Sequence, residues 1–562
     1  MKITLTLFII LSFILYSNAQ CPPSGITITT QAELNAFAVN YPNCTETEEY
    51  IQLYGSNSDP IIDLTPLENL TSIGSLVLNS IQSNNLEGLN SLNSVHSLTV
   101  YTNPNLTSLQ GLDNLQNVFS LTIYGNNSLL SFSGLRADFN VDYEISIEGN
   151  PLLNSVTGIR NSPQPDFMHL SIINNPSLLT LDGFHHLIYM YDLTIKNNDA
   201  LTSLNGLNNI EYVDNYIEIS ENDMLMSLQG LNSLVAVGDQ DDGSLAIKDN
   251  QNLLSTSGLQ SLQGAHSITL KNNALIQSLE GFNSVQVVLT DFTIEENNSL
   301  ESLIGLENLG YVKTFKILNN NSLISTQGLQ ALESVQTFEI EGNGSLTTMA
   351  GIENLETALF LKIRNNNSLT ELPEININND YWFLTISDNS NLISLFNLES
   401  IHMLKGVSII NNASLTSLDG LGSINPTTLT QLTLKDNSQL ENCHLPNICS
   451  YLGETNGESS EIENNFGNCE TLQDVFDTCG IEMGIEEELD LETIIYTQNN
   501  RIYIKSSVEI KNLTIYDLSG KIIHQENEIS SKEFEHALFS KGVFIVKTIN
   551  SKGETFTKKV LL

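Results

Sequence analysis

The chain has 562 residues, of which 65 are Asp or Glu and only 22 are Lys or Arg, for a formal net charge of −43 at pH 7. A surface of that sign repels nucleic acid phosphates and anionic lipid, so no nucleic acid partner is expected, while cations, basic proteins and neutral glycans stay open. The charge is uneven: ten of the Lys and Arg fall after residue 491, leaving that tail close to neutral and nearly all the excess acid on the part before it.

The chain opens with Met1 and Lys2, an apolar run over 3–16, then Ser17, Asn18 and Ala19 before Gln20. This is the plan of a cleavable signal peptide over 1–19. The run is shorter than the roughly 20 apolar residues of a membrane span, and no later stretch approaches that length. The mature chain is therefore expected to be exported, with no transmembrane segment. Six cysteines, Cys21, Cys44, Cys443, Cys449, Cys469 and Cys479, form an even set in an exported protein and are read as disulfides. All lie near the two ends of the long middle region, where a repeat array must cover its terminal turns. Cys21 and Cys44 are expected to bridge an N-terminal cap, 20–60, with a short helix over 29–41. The other four fall in a C-terminal cap, 443–482, and allow three pairings.

Between the caps the sequence repeats. Asn recurs at Asn103, Asn126, Asn150, Asn175, Asn198, Asn222, Asn250, Asn273, Asn297, Asn320, Asn343, Asn366, Asn389, Asn412 and Asn437, mostly 23 to 25 residues apart. Five and three residues before each stand two apolar residues, such as Leu98 and Val100 or Phe292 and Ile294, which reads as a short strand with one buried face. Eight residues after most rungs comes Gly followed by an apolar residue, as at Gly111 and Leu112 or Gly281 and Phe282. A lone coil of this length cannot bury its apolar side chains, so coils must stack and share a core. Asn offers a donor and an acceptor where the chain turns inward after the strand, and stacked Asn can bond to one another. Gly suits a turn that needs positive φ or close backbone approach. Asn-x-Ser triplets such as Asn126, Asn127 and Ser128 follow from the repeat and are not read as glycosylation sites.

The series Val118, Leu121, Ile123 and Asn126 resembles the leucine-rich repeat strand, and the accompanying Gly-Leu-x-x-Leu-x-x-Val spacing is similar to the receptor L-domain variant of bacterial surface proteins. The resemblance implies an all-β fold: a right-handed solenoid of about fifteen coils over 61–442. Departures are local. Glu374 and Asn397 stand where a coil Gly is expected, and the coil over 230–258 carries extra residues.

An acidic linker, 483–489, leads to a tail of alternating strands separated by turn residues, expected to form a small antiparallel sandwich. Tyr516, Asp517, Leu518, Ser519, Gly520 and Lys521, with Gly542, Val543 and Phe544 and with Lys558 and Lys559, resemble the type A sorting domain of the type IX secretion system. Here Tyr496, Thr497, Gln498 and Asn499 replace the Tyr-Pro-Asn-Pro opening usual in that family. The resemblance implies that 490–562 engages the secretion machinery, that the protein crosses the outer membrane, and that the module is then removed as the protein is released or anchored at the cell surface.

Catalytic chemistry is not expected. His185 and His186 lack a spaced partner, and Asp239 to Gly243 falls short of a calcium loop by spacing and by a missing downstream Glu. No nucleophile elbow or phosphate loop is present, so no catalytic, cofactor or metal residue is assigned. Function should sit on the outward rows two, four and six residues before each Asn. Row four is rich in Thr and Ser, as at Thr99, Thr122 and Thr433. Beside it stand Tyr101 with Tyr124, Lys316 with Lys362 and Arg364, and Phe360 with Phe383. The expected function is recognition or adhesion at the cell surface, with an unknown protein or glycan as ligand. The alternatives are a passive envelope or spacer protein and, third, an ice-binding solenoid.

Overall fold

The computed structural model describes residues 20–136, 139–161, 168–238, 242–377, 382–481, 493–498, 501–537 and 542–561. The expected signal peptide, the acidic linker and the first three residues of the calcium-like loop lie outside them. The chain divides into two compact units, Met1–Ile481 and Glu482–Leu562.

The first unit is a parallel β-solenoid of about 17 turns. Its strands pair in order from Ile26–Ile28 to Ser460–Glu463, each bonded to the strand one turn on. Register follows the apolar pattern: Leu98 pairs with Leu121 and Val100 with Ile123, and all four are fully buried. A slip of one residue would turn these columns to solvent, which fixes the alignment. Toward the middle the column becomes aromatic, with Phe292, Phe315 and Phe338 stacked at centroid distances of 5.2 and 5.5 Å. The stack is longer than the about fifteen coils expected, because strands Glu46–Tyr54 and Ser460–Glu463 extend it into both caps.

The Asn ladder is real, and every rung is buried. Asn273 shows its logic. Its backbone N–H and its Nδ2 both donate to Asn297 Oδ1, at 3.1 and 3.4 Å. Nδ2 also donates to the carbonyls of Ile247, one turn back, and Lys271, at 2.9 and 3.0 Å. Its own Oδ1 accepts from the backbone N–H and Nδ2 of Asn250. One amide thus satisfies backbone groups on its own turn and the turn before, and links by its side chain to the turn after. The ladder starts where Ile81 N–H donates to Asn103 Oδ1, and it runs one rung beyond Asn437 to Asn465, which lies inside the expected C-terminal cap. Before every rung the chain passes through the left-handed region, at Thr102 (φ 48°), Glu221 (φ 56°) or Asp436 (φ 57°), for example. Asn, Asp and Gly are common there because they tolerate that conformation best.

The coil glycines answer a close approach. At Gly206 (φ 115°) a Cβ would overlap the Leu181 carbonyl. At Gly420, where φ is ordinary, the Leu395 carbonyl alone excludes a side chain. Asn397 takes the same place one turn earlier and turns the approach into a bond, Nδ2 donating to the Leu372 carbonyl at 2.6 Å.

Each end of the stack is covered and stapled. Helix α1 (Gln31–Asn40) is capped by Thr30, which accepts from Glu33 N–H, and buries Leu34 and Phe37 on the first turns. Glu33 reaches back to the backbone and hydroxyl of Thr29, which hold its carboxyl below the usual range. Cys21 bonds Cys44 as expected. Helices α2 (Pro446–Thr455) and α3 (Leu472–Cys479) close the other end, α3 opening on a capping box of Thr471 and Asp474. Of the three open pairings the structure has Cys443 with Cys469 and Cys449 with Cys479.

The second unit is one five-stranded antiparallel sheet curled over its own core of Ile502, Ile504, Leu513, Ile515 and Val546. The long strand Arg501–Asp517 pairs along both halves with Ile522–Ala537, shifting register between Lys505 and Ile510, while on its other edge the first half takes Thr493–Gln498 and the second Val543–Asn550. The Tyr516 to Lys521 motif is a hairpin turn. Asp517 Oδ1 accepts from Ser519 Oγ, Ser519 N–H and Lys521 N–H, which lowers the Asp517 pKa, the Ser519 hydroxyl contributing most.

Two predictions follow from this packing. Asn273→Leu should cost a few kcal/mol, because it strands groups worth about 1–3 kcal/mol each, whereas exposed Asn283→Leu should be near neutral. Equal denaturation midpoints for the two would refute the ladder's role. In the second unit His524 and His536 stack at 3.7 Å, and burial, then the His524 charge, lowers the His536 pKa. A histidine with a lowered folded pKa favours folding above its unfolded value of about 6.5 and loses that support as pH falls through the folded value. Amide protection over residues 522–537 in the whole chain, measured against the slower intrinsic exchange at lower pH, should therefore fall between pH 7 and 5, and His536→Phe should remove that fall.

Candidate recognition surface

The parallel sheet brings its outward residues into rows with one side chain per turn. Tyr101 and Tyr124 pair in register with rings 5.2 Å apart, and Phe360 and Phe383 stack at 5.4 Å. Tyr101, Tyr124 and Phe360 are all more than a third exposed. The hydroxyl row is different from the open stripe expected of it. Thr99, Thr122 and Thr269 are half-buried and Thr194 and Thr433 are buried, so this row is the floor between two taller rows.

The cations are less available than the sequence implies. Arg364 Nη1 lies 3.3 Å from Glu339 Oε1 and 3.7 Å from Glu341 Oε2. Lys316 and Lys362 flank Glu339 in register, with no ion pair of their own among the described residues. Elsewhere on the face Lys196 pairs with Glu221 and Lys271 with Glu295, and the hydrogen bond to each carboxylate raises the lysine's pKa. Local neutralisation therefore accounts for Arg364, and the expected basic patch reduces to Lys316 and Lys362.

A second set of residues escaped the sequence reading. His96, Phe119, Tyr143, His169 and Tyr191 form a continuous column of rings beside the sheet. Centroids are 4.7 Å apart from His96 to Phe119 and 4.8 Å from Phe119 to Tyr143, with planes within 9°. His169 then tilts between Tyr143 and Tyr191, 5.0 Å from each. Its Nδ1 lies 2.7 Å from Asp192 Oδ2, while Asp192 Oδ1 accepts from Asn215 Nδ2, so the imidazole is held in place. The column exists because each strand bends there. Val95 and Leu98 both point inward, leaving His96 and Ser97 outward in succession. Tyr189 and Tyr212 stack nearby at 5.5 Å. The signal was available: four of the five rings stand seven residues before a ladder Asn, one place beyond the rows that strict alternation marks.

His185 lies 3.4 Å from Asp182 within its own turn, and both it and His186 are exposed. Cys443, His444 and Cys469 come within ligand distance of one another, but the two sulfurs are bonded together. Of the calcium-like loop only Asp242 and Gly243 are described, with Gly243 N–H donating to Asp242 Oδ1. Among the described residues no helix is long and apolar enough to cross a membrane. Residues 485–562, nearly the whole second unit, match a family described as a domain of unknown function (DUF8694). No curated protein matches the chain.

Phe119 touches a ring on each side and Phe360 on one, and such contacts contribute about 0.5–1.5 kcal/mol each. Phe119→Ala should therefore destabilise the whole chain more than Phe360→Ala in chemical denaturation. The reverse order would mean that the column is not held by its stacking.

Proposed function

We propose that the protein is an exported recognition or adhesion protein of the cell surface, that its solenoid binds a protein or glycan through the sheet face and the ring column beside it, and that residues 490–562 act as a secretion sorting module. The observation that carries the first part is the run of exposed aromatic side chains aligned turn after turn. Exposed Tyr and Phe in contiguous rows are what binding surfaces use, since a rigid ring buries much area for little entropy loss. A spacer has no need of them. The strand stack sets their spacing at about 4.8 Å, so they form one surface. For the second part, the support is the resemblance over Tyr516 to Lys521 and Lys558 to Lys559, together with a hairpin that leaves Leu518, Ile522 and Ile523 exposed.

Binding of the whole chain to a panel of glycans and surface proteins tests the first part. Tyr101→Ala with Tyr124→Ala, or Phe119→Ala with Tyr143→Ala, should weaken binding about tenfold or more, the loss of 1.4 kcal/mol expected of anchor residues. Unchanged affinity in both, with folding intact, would leave passive spacing as the better account. For the second part, peptide mapping of protein recovered from the native surface should begin at Gln20 and lack 541–562. Abundant peptides from that stretch in an anchored form would refute removal of the module.

A further inference from the structure

Between Lys2 and Arg136 the sequence has no Lys or Arg, so the first turns of the solenoid carry only acidic formal charge. In that stretch the ring column is interrupted. His96 covers Phe119 with one face. One turn earlier the same place, between Ile73 and Ser75, belongs to Gly74, which has no ring to lay on the other face. No side chain fits at Gly74, because a Cβ would overlap the Glu48 carbonyl. The result is an open pocket of about 610 Å³, with His96 at one side, Glu48, Glu49 and Tyr50 at the other, and Gly74 between. Both carboxylates are exposed, and among the described residues neither takes part in an ion pair.

We propose that this pocket takes an arginine side chain from a basic partner protein. A guanidinium is flat and stacks on an aromatic face, and its forked N–H donors match carboxylates. Here one gap is lined by the His96 ring and by two residues whose exposed carboxylates make no ion pair among the described residues. Lysine has the charge but not the plane. A neutral sugar or an aromatic ring would fill the gap while crowding two carboxylates that gain no counter-charge, which is costly. The surrounding field favours the same partner, because a cation-free acidic region draws basic surfaces and repels acidic ones. This assignment names a partner chemistry for the recognition reading above and rests on it.

The test is calorimetric titration of the whole chain with capped hexa-arginine and capped hexalysine at physiological salt. Hexa-arginine should bind more tightly. Glu48→Gln with Glu49→Gln should weaken it about tenfold, and His96→Ala should remove about threefold, mainly from the preference for arginine over lysine. Glu371→Gln with Glu374→Gln, a remote pair of exposed carboxylates, should change nothing. Equal losses in the two double variants, or no preference for arginine, would overturn the assignment in favour of a diffuse acidic field. The same variants in the glycan and protein panel separate the two readings. Panel binding lost with Tyr101 and Tyr124 but kept without Glu48 and Glu49 sinks the pocket alone, whereas a panel with no ligand at all, beside intact arginine selectivity, sinks the sheet face alone.

Discussion

The structure depends on satisfying backbone groups that each turn carries into the interior. After its strand the chain must leave the sheet and pass under it, and there its amides and carbonyls lie beyond the reach of water. A buried Asn on each turn bonds to the turn before and the turn after, so the polar content of the core is consumed internally. Everything else is arranged around that chain of amides. The preceding residue takes positive φ to aim the Asn inward, the Leu, Ile and Phe columns close round it, and the glycine lets the far side of the coil approach its neighbour. Apolar burial provides the driving force, and the amide ladder sets the register in which the inward-turning backbone of each coil finds its partners.

The ladder also explains what was legible in the sequence. Asn103 to Asn437, the inward pairs before them and the coil glycines repeat because every turn solves the same steric problem, and repetition is visible without a structure. The cap disulfides were half legible: Cys21 had one near partner, whereas four cysteines close together in sequence carry no mark of which pairs meet. Asn465 went unread because its strand, Ser460–Glu463, is short and follows a helix rather than a coil. The ring column was missed for a geometric reason. Alternation describes a straight strand, and these strands bend between Val95 and Leu98 and at the matching place on other turns, which puts two outward residues in a row.

Charge and shape divide the surface differently from the fold. The folding pattern is nearly uniform along the stack, but the face it displays is not: acid and aromatic residues without Lys or Arg come first, and Lys and Glu in mutual pairs follow from Lys196 onward. Such a gradient costs the core nothing, because the outward rows are free of the constraints that fix the inward ones. Specificity can therefore drift along the solenoid while the scaffold is preserved.

The coil between Asn222 and Asn250 is longer than its neighbours, yet the Asn222 N–H still meets Asn250 Oδ1 at 3.1 Å. The ladder registers only that a next rung arrives, not how much chain was spent on the way. Contour length and pitch are thus decoupled. An insertion in the arc between rungs swells the rim and leaves the spacing of the face untouched, and a duplicated coil lengthens the face by one fixed increment. The fold behaves as a ruler whose graduations are set by hydrogen bonds, and it can be extended or embellished without being recalibrated.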